Sequence, residues 1–423
     1  MNIFSNDLAG RFIERPNRFL VIVDTPRGIV QAHCPNPGRL QELLIPGTPV
    51  ILERAALAVP GRIPGRHTGR NTDRSGRKTD WTLAAAEYRG QTIPLISVRA
   101  NRAAEQLILP RLFPDAQRIQ PEYSTGDGSR FDFMIEKKDG SRALVEVKSC
   151  TLAAHGRAMF PDAPTVRGLR HVEHLAAIAR GCSNHAGSAG RIEGSQGFAG
   201  AAGRAWAPDG FAGSIEGHLI FVLHHPDVEV FTPNIHTDPA FSLGLEAAAR
   251  DIQLHAFSLD CGVSGECRIA AEDIPFDFRP LEHVRRDRGV YLLLLELNEE
   301  AEIDAGSLGR LRFPAGSYLY AGSAKKNLSH RTARHLRRGR KKLRWHIDYL
   351  RETAARARVY PVFTDRDLEC ELASRLRDMG GLGVTGFGSS DCRCESHLFY
   401  FPDSPAKSRI FQDLLLEYRH GRI

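Results

Sequence analysis

Asp132, Glu146 and Lys148 are of the residue types that hydrolyse phosphodiesters, and all three fall within one stretch, GSRFDFMIEKKDGSRALVEVKS, from Gly128 to Ser149. The stretch otherwise reads as two short strands joined by a turn. Side chains alternate faces along a strand, so Glu146 and Lys148 share one face while Val145 and Val147 point into a core. In the partner strand Phe131, Phe133 and Ile135 are expected to be buried, with Asp132 between them on the other side. The turn sets the register. A two-residue loop at Asp139-Gly140 pairs Asp132 with Val147, whereas a three-residue loop, Lys138-Asp139-Gly140 with the glycine left-handed, pairs Asp132 with Glu146. The residue types suit the second register. Opposed carboxylates repel unless a cation lies between them or one is protonated, so the pair predicts a divalent-metal site. Oxygen ligands suit Mg2+ or Mn2+, and an adjacent ammonium can orient the attacking water or neutralise charge on a phosphate. A bare ExK is more often a solvated ion pair on an exposed strand, so the surroundings must decide.

Those surroundings begin with 423 residues, enough for two or three domains, of which 42% are hydrophobic. The N-terminal part alternates strand-like runs (RFLVIVDT, IVQAHCP, TPVILERA, WTLAAAEY, QTIPLISV) with Gly and Pro, the pattern of a small barrel, interrupted by one short helix at GRLQELL. Between residues 55 and 80 the chain is rich in Arg, Gly and Thr and predicts a mobile basic loop. From Asn101 the period changes to helical, with Ala104, Leu107 and Ile108 on one face. The strands of the opening stretch and a helix at RHVEHLAAIARG follow, an alternating α/β unit. Residues 181–217, rich in Gly, Ala and Ser, predict a flexible insertion before the strand HLIFVLHH. A composition change after FDFRPLEHVRRDR places a further boundary between Pro280 and Arg286.

The eight cysteines have no secretory signal beside them and predict free thiols. No apolar run is long enough for a membrane span, and a cytoplasmic location is expected. The 57 basic and 50 acidic residues leave a net charge of +7, a mild preference for polyanions.

The motifs NRFLVIVD, HCPNPGRL, IPGTPVIL, SRFDF, VEVKSCTL, FPDAPTVRGLRHVEHL and FTPNIHTDPAF, in this order between Ile3 and Phe278, resemble the sugar fermentation stimulation protein A family. The resemblance implies an OB-like barrel over 1–85 and a PD-(D/E)xK nuclease-like domain over 86–280, with DNA binding and a regulatory role in sugar metabolism. It places Glu105, Asp132, Glu146 and Lys148 in the nuclease-like site, Asp132 and Glu146 as metal ligands, and Arg167 and His171 on the adjoining helix toward DNA. Ser149 stands where the family has Asn, and His224-His225 where it has Gln-Arg. In HCPNPGRL, Asn36 and Gly38 precede the expected short helix, whose free N–H groups could hold a phosphate or serve only as a turn.

A second set of residues follows. GVY at Gly289–Tyr291, YAG at Tyr320–Gly322, Arg331, His335 and an acid in ECELA resemble the GIY-YIG nuclease pattern, and GSYLYAGSA, RWHIDYL and GFGSSDCRCESHLFYF resemble a branch of it whose role is unknown. The resemblance implies an α+β domain over 286–405, followed by a C-terminal helix or tail over 406–423. The pattern assigns Tyr291, Tyr320, Arg331 and His335 to catalysis and one Glu to the metal, with Glu371 favoured over Glu369. A phenol can help activate water, an Arg can neutralise the phosphorane and a carboxylate can hold Mg2+. From Lys325 to Arg351 there are eleven Lys or Arg and one acid, Asp348, with Trp345, His346 and Tyr349 interleaved. Lys325, Lys326, Arg334, Arg338, Lys341 and Lys342 are therefore expected at a DNA surface, with binding that weakens with salt. Cys392, Cys394 and His397, with Cys370, could hold zinc, though packing or turn roles fit the residues as well.

The expectation is a multidomain, Mg2+- or Mn2+-dependent DNA endonuclease with two candidate sites. Its rival is a DNA-binding regulator that uses the nuclease-like fold as a scaffold without cutting. No sugar-site pattern supports a sugar-converting protein.

Overall fold

Short apolar-alternating runs give the chain its first six strands: β1 (Leu8–Asn17), β2 (Leu20–Thr25), β3 (Gly28–His33), β4 (Pro49–Arg54), β5 (Trp81–Tyr88) and β6 (Gln91–Pro94). A computed structural model describes residues 1–55, 79–125, 129–183, 215–339 and 342–421. The expected basic loop between 55 and 80, most of the 181–217 insertion and Lys341 lie outside the described residues. The strands order as β3-β2-β1-β4-β5-β6, and β3 also pairs with β5, closing five of them into a barrel. Closure leaves no free edges on those five and packs Phe12, Val21, Val23, Leu52 and Leu83 inside. The helix expected at GRLQELL does not form; only a turn occupies 41–43. Leu40 takes a left-handed φ of 52°, and its N–H is held by Asp162 Oδ2 at 2.7 Å, far away in sequence.

After the barrel come α1 (Arg99–Ala103), a π-helical turn (Ala104–Ile108) and α2 (Leu109–Leu112). Then follow β7 (Ala116–Ser124), β8 (Arg130–Lys137), β9 (Arg142–Cys150), β10 (Leu152–Ala154), β11 (Arg157–Phe160), α3 (Val166–Ser183), β12 (Ile215–Leu223), β13 (Val230–Pro233), α4 (Pro239–Ala248), β14 (Gln253–Cys261) and β15 (Cys267–Ala271). Six of these strands form a sheet ordered β15-β14-β12-β9-β8-β7, in which β12 runs parallel to both β9 and β14. Val172, Leu175 and Ala176 of α3 pack on one face with Leu144, Leu219 and Phe221. Ala100 and Ala103 of α1 pack on the other with Val145, Val147, Ile220 and Val222. Burial on both faces explains why Leu219–Leu223 of β12 reads as an unbroken apolar run. The cysteines are not all free thiols. Cys261 and Cys267 stand directly opposite in the β14–β15 ladder, with Cα atoms 4.2 Å apart, and are joined by a disulfide.

The remaining elements are α5 (Leu281–Arg286), β16 (Gly289–Leu297), β17 (Ala301–Asp304), β18 (Arg310–Phe313), β19 (Gly316–Ala324), α6 (Leu328–Leu336), α7 (His346–Thr353), β20 (Arg356–Phe363), α8 (Glu369–Asp378), β21 (Leu382–Gly383), β22 (Leu398–Phe401) and α9 (Arg409–His420). They build an antiparallel sheet ordered β20-β16-β19-β22-β21. Its core joins Leu292, Leu319 and Val362 to Leu372 and Leu376 of α8 and to Phe411, Leu414 and Tyr418 of α9. The C-terminal helix is thus packed into this sheet. The chain divides into two compact units, Met1–Pro233 with Ala240–Phe278, and Asn234–Pro239 with Arg279–Ile423. Barrel and α/β layer belong to one unit. Among the described residues, no helix is long and apolar enough to cross a membrane.

Candidate functional site

The turn between β8 and β9 has three residues. Lys137 N–H bonds Ser141 O at 2.9 Å, Gly140 takes φ +81°, and Phe133 stands opposite Val145. Continued by one residue, that register sets Asp132 against Glu146. The Asp132 side chain replaces a rung of the ladder: Oδ2 accepts Val147 N–H at 2.7 Å and Oδ1 accepts the Asn101 amide at 2.5 Å. Glu146 is 5% exposed; its Oε1 accepts the Lys148 ammonium and lies 3.0 Å from His171 Nδ1.

Burial and then the charge of Glu146 push the Asp132 carboxyl above its usual range. Burial would raise Glu146 too, but Lys148 and His171 overcome it and hold Glu146 below its usual value. The two carboxylates are driven apart in acidity, the pattern expected when like charges share one site.

These groups line a cavity of about 730 Å³. Arg18, Asn36 and Gly38 enter it from the barrel, Arg130 from β8, and Arg167 and His171 from α3. Glu105 is exposed and does not line it; the helical residue that reaches the site is Asn101, one turn earlier. A π-helical turn follows from Ala104 to Ile108. The N–H groups expected to take a phosphate near Asn36 are already paired. Asn36 Oδ1 holds Gly38 N–H at 2.8 Å, and Asp162 holds that of Leu40. With no helix behind them, the anion site expected there lacks its basis. The two departures from the family motifs meet in space, for Ser149 Oγ lies 2.9 Å from His224 Nε2.

In the second unit, the glycine of GVY lets the neighbouring strand β20 approach, and that of YAG makes room for the tyrosines. A Cβ on Gly289, whose φ is +150°, would lie 2.1 Å from Val362 O, and one on Gly322 would lie 2.5 Å from Tyr291 Oη. Tyr291 and Tyr320 then sit with ring centroids 6.3 Å apart. Tyr291 Oη is 2.9 Å from His335 Nε2, and His335 Nδ1 is 3.7 Å from Asp348 Oδ1. Arg334 grips Asp348 with two hydrogen bonds of 3.0 and 2.9 Å, and the N–H groups of Arg344 and Trp345 add two more. Arg334 is therefore fixed inside the protein, in contrast to the DNA contact expected of it. Burial alone would raise Asp348, but His335, Arg334 and these N–H groups hold it well below the usual carboxylate range.

Arg331 lies over the Trp345 ring, 4.8 Å from its centroid. Burial raises the phenols of Tyr291 and Tyr320, against the opposing charge of Arg331. The carboxylate beside these tyrosines belongs to Glu369, which accepts the Ser323 hydroxyl and lies 3.1 Å from His397 Nδ1. The favoured Glu371 is exposed and accepts the Tyr418 hydroxyl at 2.6 Å. Residues two apart on a helix point about 200° apart, so only one of the pair can face the tyrosines. Lys325, Lys326, Arg338 and Lys342 are all exposed.

Sequence reasoning missed Asn101, Arg18, Arg130 and Asp162 at the first site. Only Arg130 had a visible signal, its place immediately before FDF.

Family profiles match three successive stretches: the SfsA N-terminal OB domain over 13–95, the sugar fermentation stimulation protein RE domain over 98–186, and domain of unknown function DUF123 over 290–419. A sugar fermentation stimulation protein homolog of Desulfitobacterium hafniense (strain DSM 10664 / DCB-2) is 31% identical over 263 residues, 62% of this chain and 92% of that protein. Another, from Pyrobaculum islandicum, is 31% identical over 281 residues, 65% of this chain and 96% of its own length. The solved structure of Pyrococcus furiosus SfsA in complex with Ca2+ superposes with a TM-score of 0.48 and 26% identity, covering 66% of this chain and 99% of that one. On relatives 31% identical and matched over more than nine-tenths of their own length, the chain belongs to the sugar fermentation stimulation protein family and carries in addition a C-terminal GIY-YIG-like DUF123 domain.

Proposed function

We propose that the protein binds DNA and hydrolyses its phosphodiesters with Mg2+ or Mn2+ at the site of Asp132, Glu146 and Lys148. The observation that carries this reading is the three-residue turn. It brings two carboxylates and an ammonium together in a cavity that cationic side chains also line. The donor set fits a hard divalent cation, since Asp132 and Glu146 offer oxygens only, and the charge of Glu146 on Asp132 is strain that a cation would relieve. Such an ion, when bound, lowers the pKa of water and neutralises phosphate charge. Asn101 and the Val147 N–H fix the Asp132 carboxylate. His171 holds Glu146, and Lys148 stands ready to orient the water once Glu146 turns to other work. Arg18, Arg130 and Arg167 suit the phosphates of a bound strand.

The second unit supports a second cleaving site. Tyr291 and His335 would handle the proton, Arg331 the charge on the phosphorane, and Glu369 a cation. Lys325, Lys326, Arg338 and Lys342 would hold the backbone. Cleavage of single-stranded, duplex and branched DNA by wild type, Glu146→Ala and Tyr291→Phe, with Mg2+ or Mn2+ and with EDTA, tests both sites. Loss in one variant assigns the activity to its unit. If wild type leaves every substrate intact, the catalytic reading fails. Sequence-selective binding in that experiment would favour a DNA-binding regulator of sugar-metabolism genes.

A further inference from the structure

The second unit gathers a cluster that the proposed chemistry does not use. Cys370 is the second residue of α8, Cys392 and Cys394 lie in the loop between β21 and β22, and His397 immediately precedes β22. One ligand atom from each of the four lies within 4.8 Å of every other. Cys392 Sγ is 3.4 Å and Cys370 Sγ 3.9 Å from His397 Nε2. Tetrahedral zinc with thiolate bonds of about 2.3 Å and an imidazole bond of about 2.0 Å needs ligand atoms about 3.5 to 3.8 Å apart. The cluster is thus already close to the size of the site.

The imidazole is oriented for the role. His397 Nδ1 faces Glu369 Oε1 at 3.1 Å, which turns Nε2 toward the sulfurs. A carboxylate on the far nitrogen is the usual second partner of a zinc-bound histidine, fixing its tautomer and raising its basicity. All three thiols are free, in contrast to the Cys261–Cys267 pair of the first unit. We infer that Cys370, Cys392, Cys394 and His397 form a structural Cys3His zinc site that pins the β21–β22 loop to α8 and, through His397, holds Glu369 in place. The zinc site stands whether or not the unit cleaves DNA, because its ligands are separate from the tyrosines and Arg331.

The test uses the full chain, purified under reducing conditions without chelator from zinc-supplemented cells. Elemental analysis should give one zinc per chain that survives dialysis. Replacement by Co2+ should give sulfur-to-metal charge-transfer absorption and the intense visible bands of a tetrahedral site. The double variant Cys392→Ser/Cys394→Ser should drop to background zinc. Because that variant could fold poorly, wild type provides an independent readout. Stripping the metal with a strong chelator should lower the melting temperature of the C-terminal unit, and Zn2+ but not Mg2+ should restore it. Wild type without zinc, zinc retained by the double variant, or a disulfide among the three cysteines in alkylated, freshly purified protein would each overturn the assignment.

Discussion

The two candidate sites offer the same class of chemistry from opposite electrostatic starting points. The first is a wide cavity in which two carboxylates and an ammonium are crowded together, one carboxyl pushed up and the other held down. The second is a packed row of neutral or paired groups. A phenol abuts an imidazole, the imidazole faces a carboxylate, and a half-buried Arg334 neutralises that carboxylate. A site of unbalanced charge invites a cation and responds to pH. A site of paired groups depends on its internal hydrogen bonds and fails when one is removed. Their sensitivities should therefore differ in kind.

Under the proposed function the largest effect separates them directly. Glu146→Gln should cut metal-dependent cleavage about 10²–10⁴-fold if the first site is responsible, while Tyr291→Phe leaves that activity near wild type. Equal losses in both variants would break the comparison by showing one shared reaction. The pH profile sharpens it. With Asp132 raised above its ordinary 3.8 in the metal-free protein, protons should compete with Mg2+ at the first site up to a higher pH than at an ordinary aspartate, so the metal concentration needed for cleavage should rise on acidification.

Asp348→Asn should be the largest stability loss, about 3–5 kcal/mol in denaturant unfolding of the C-terminal unit, because Arg334 would remain with its charge unpaired. Asp348 has a depressed folded pKa, so its stabilisation is full above the unfolded value of about 3.9 and is lost as pH falls toward the folded value. The variant should therefore show a flatter stability curve in acid.

Asp132→Asn should act the other way and by less. A carboxyl with a raised folded pKa costs stability once ionised, so its replacement should raise the melting temperature slightly at neutral pH while abolishing cleavage by the first site. Asn101 can turn its amide to suit the new neighbour. The smallest effect belongs to the surface: Lys325→Ala should lower the salt slope of DNA binding by about one, without changing cleavage at saturating DNA.

Much of this was legible in the sequence where local rules decide. Gly140 in a left-handed turn set the register of β8 and β9, and alternation then placed Asp132 against Glu146. The rest depended on distant or three-dimensional facts. Glu105 fits the motif spacing, but Asn101, four residues earlier, donates to Asp132 while Glu105 faces solvent, and nothing in NRAAEQLI separates the two. Glu369 and Glu371 are equally plausible along the chain; Tyr418, forty-seven positions on, takes one of them. GRLQELL has helical periodicity, yet the left-handed Leu40 and a carboxylate 122 residues away hold it in another shape. The disulfide likewise follows from a hairpin register that cysteine counting does not reveal.

That carboxylate, Asp162, has a consequence for how such proteins can be recombined. The family profiles for the barrel and for the following domain meet between residues 95 and 98, which suggests a natural cutting point for grafting one module onto another chain. The folded protein has no seam there. Separating the modules would break the hydrogen bond between Asp162 and the Leu40 N–H that holds the 38–44 segment in its non-helical shape, and would remove Arg18 and Asn36 from the wall of the cavity. The barrel and the α/β layer are two words in the sequence but one part in any exchange.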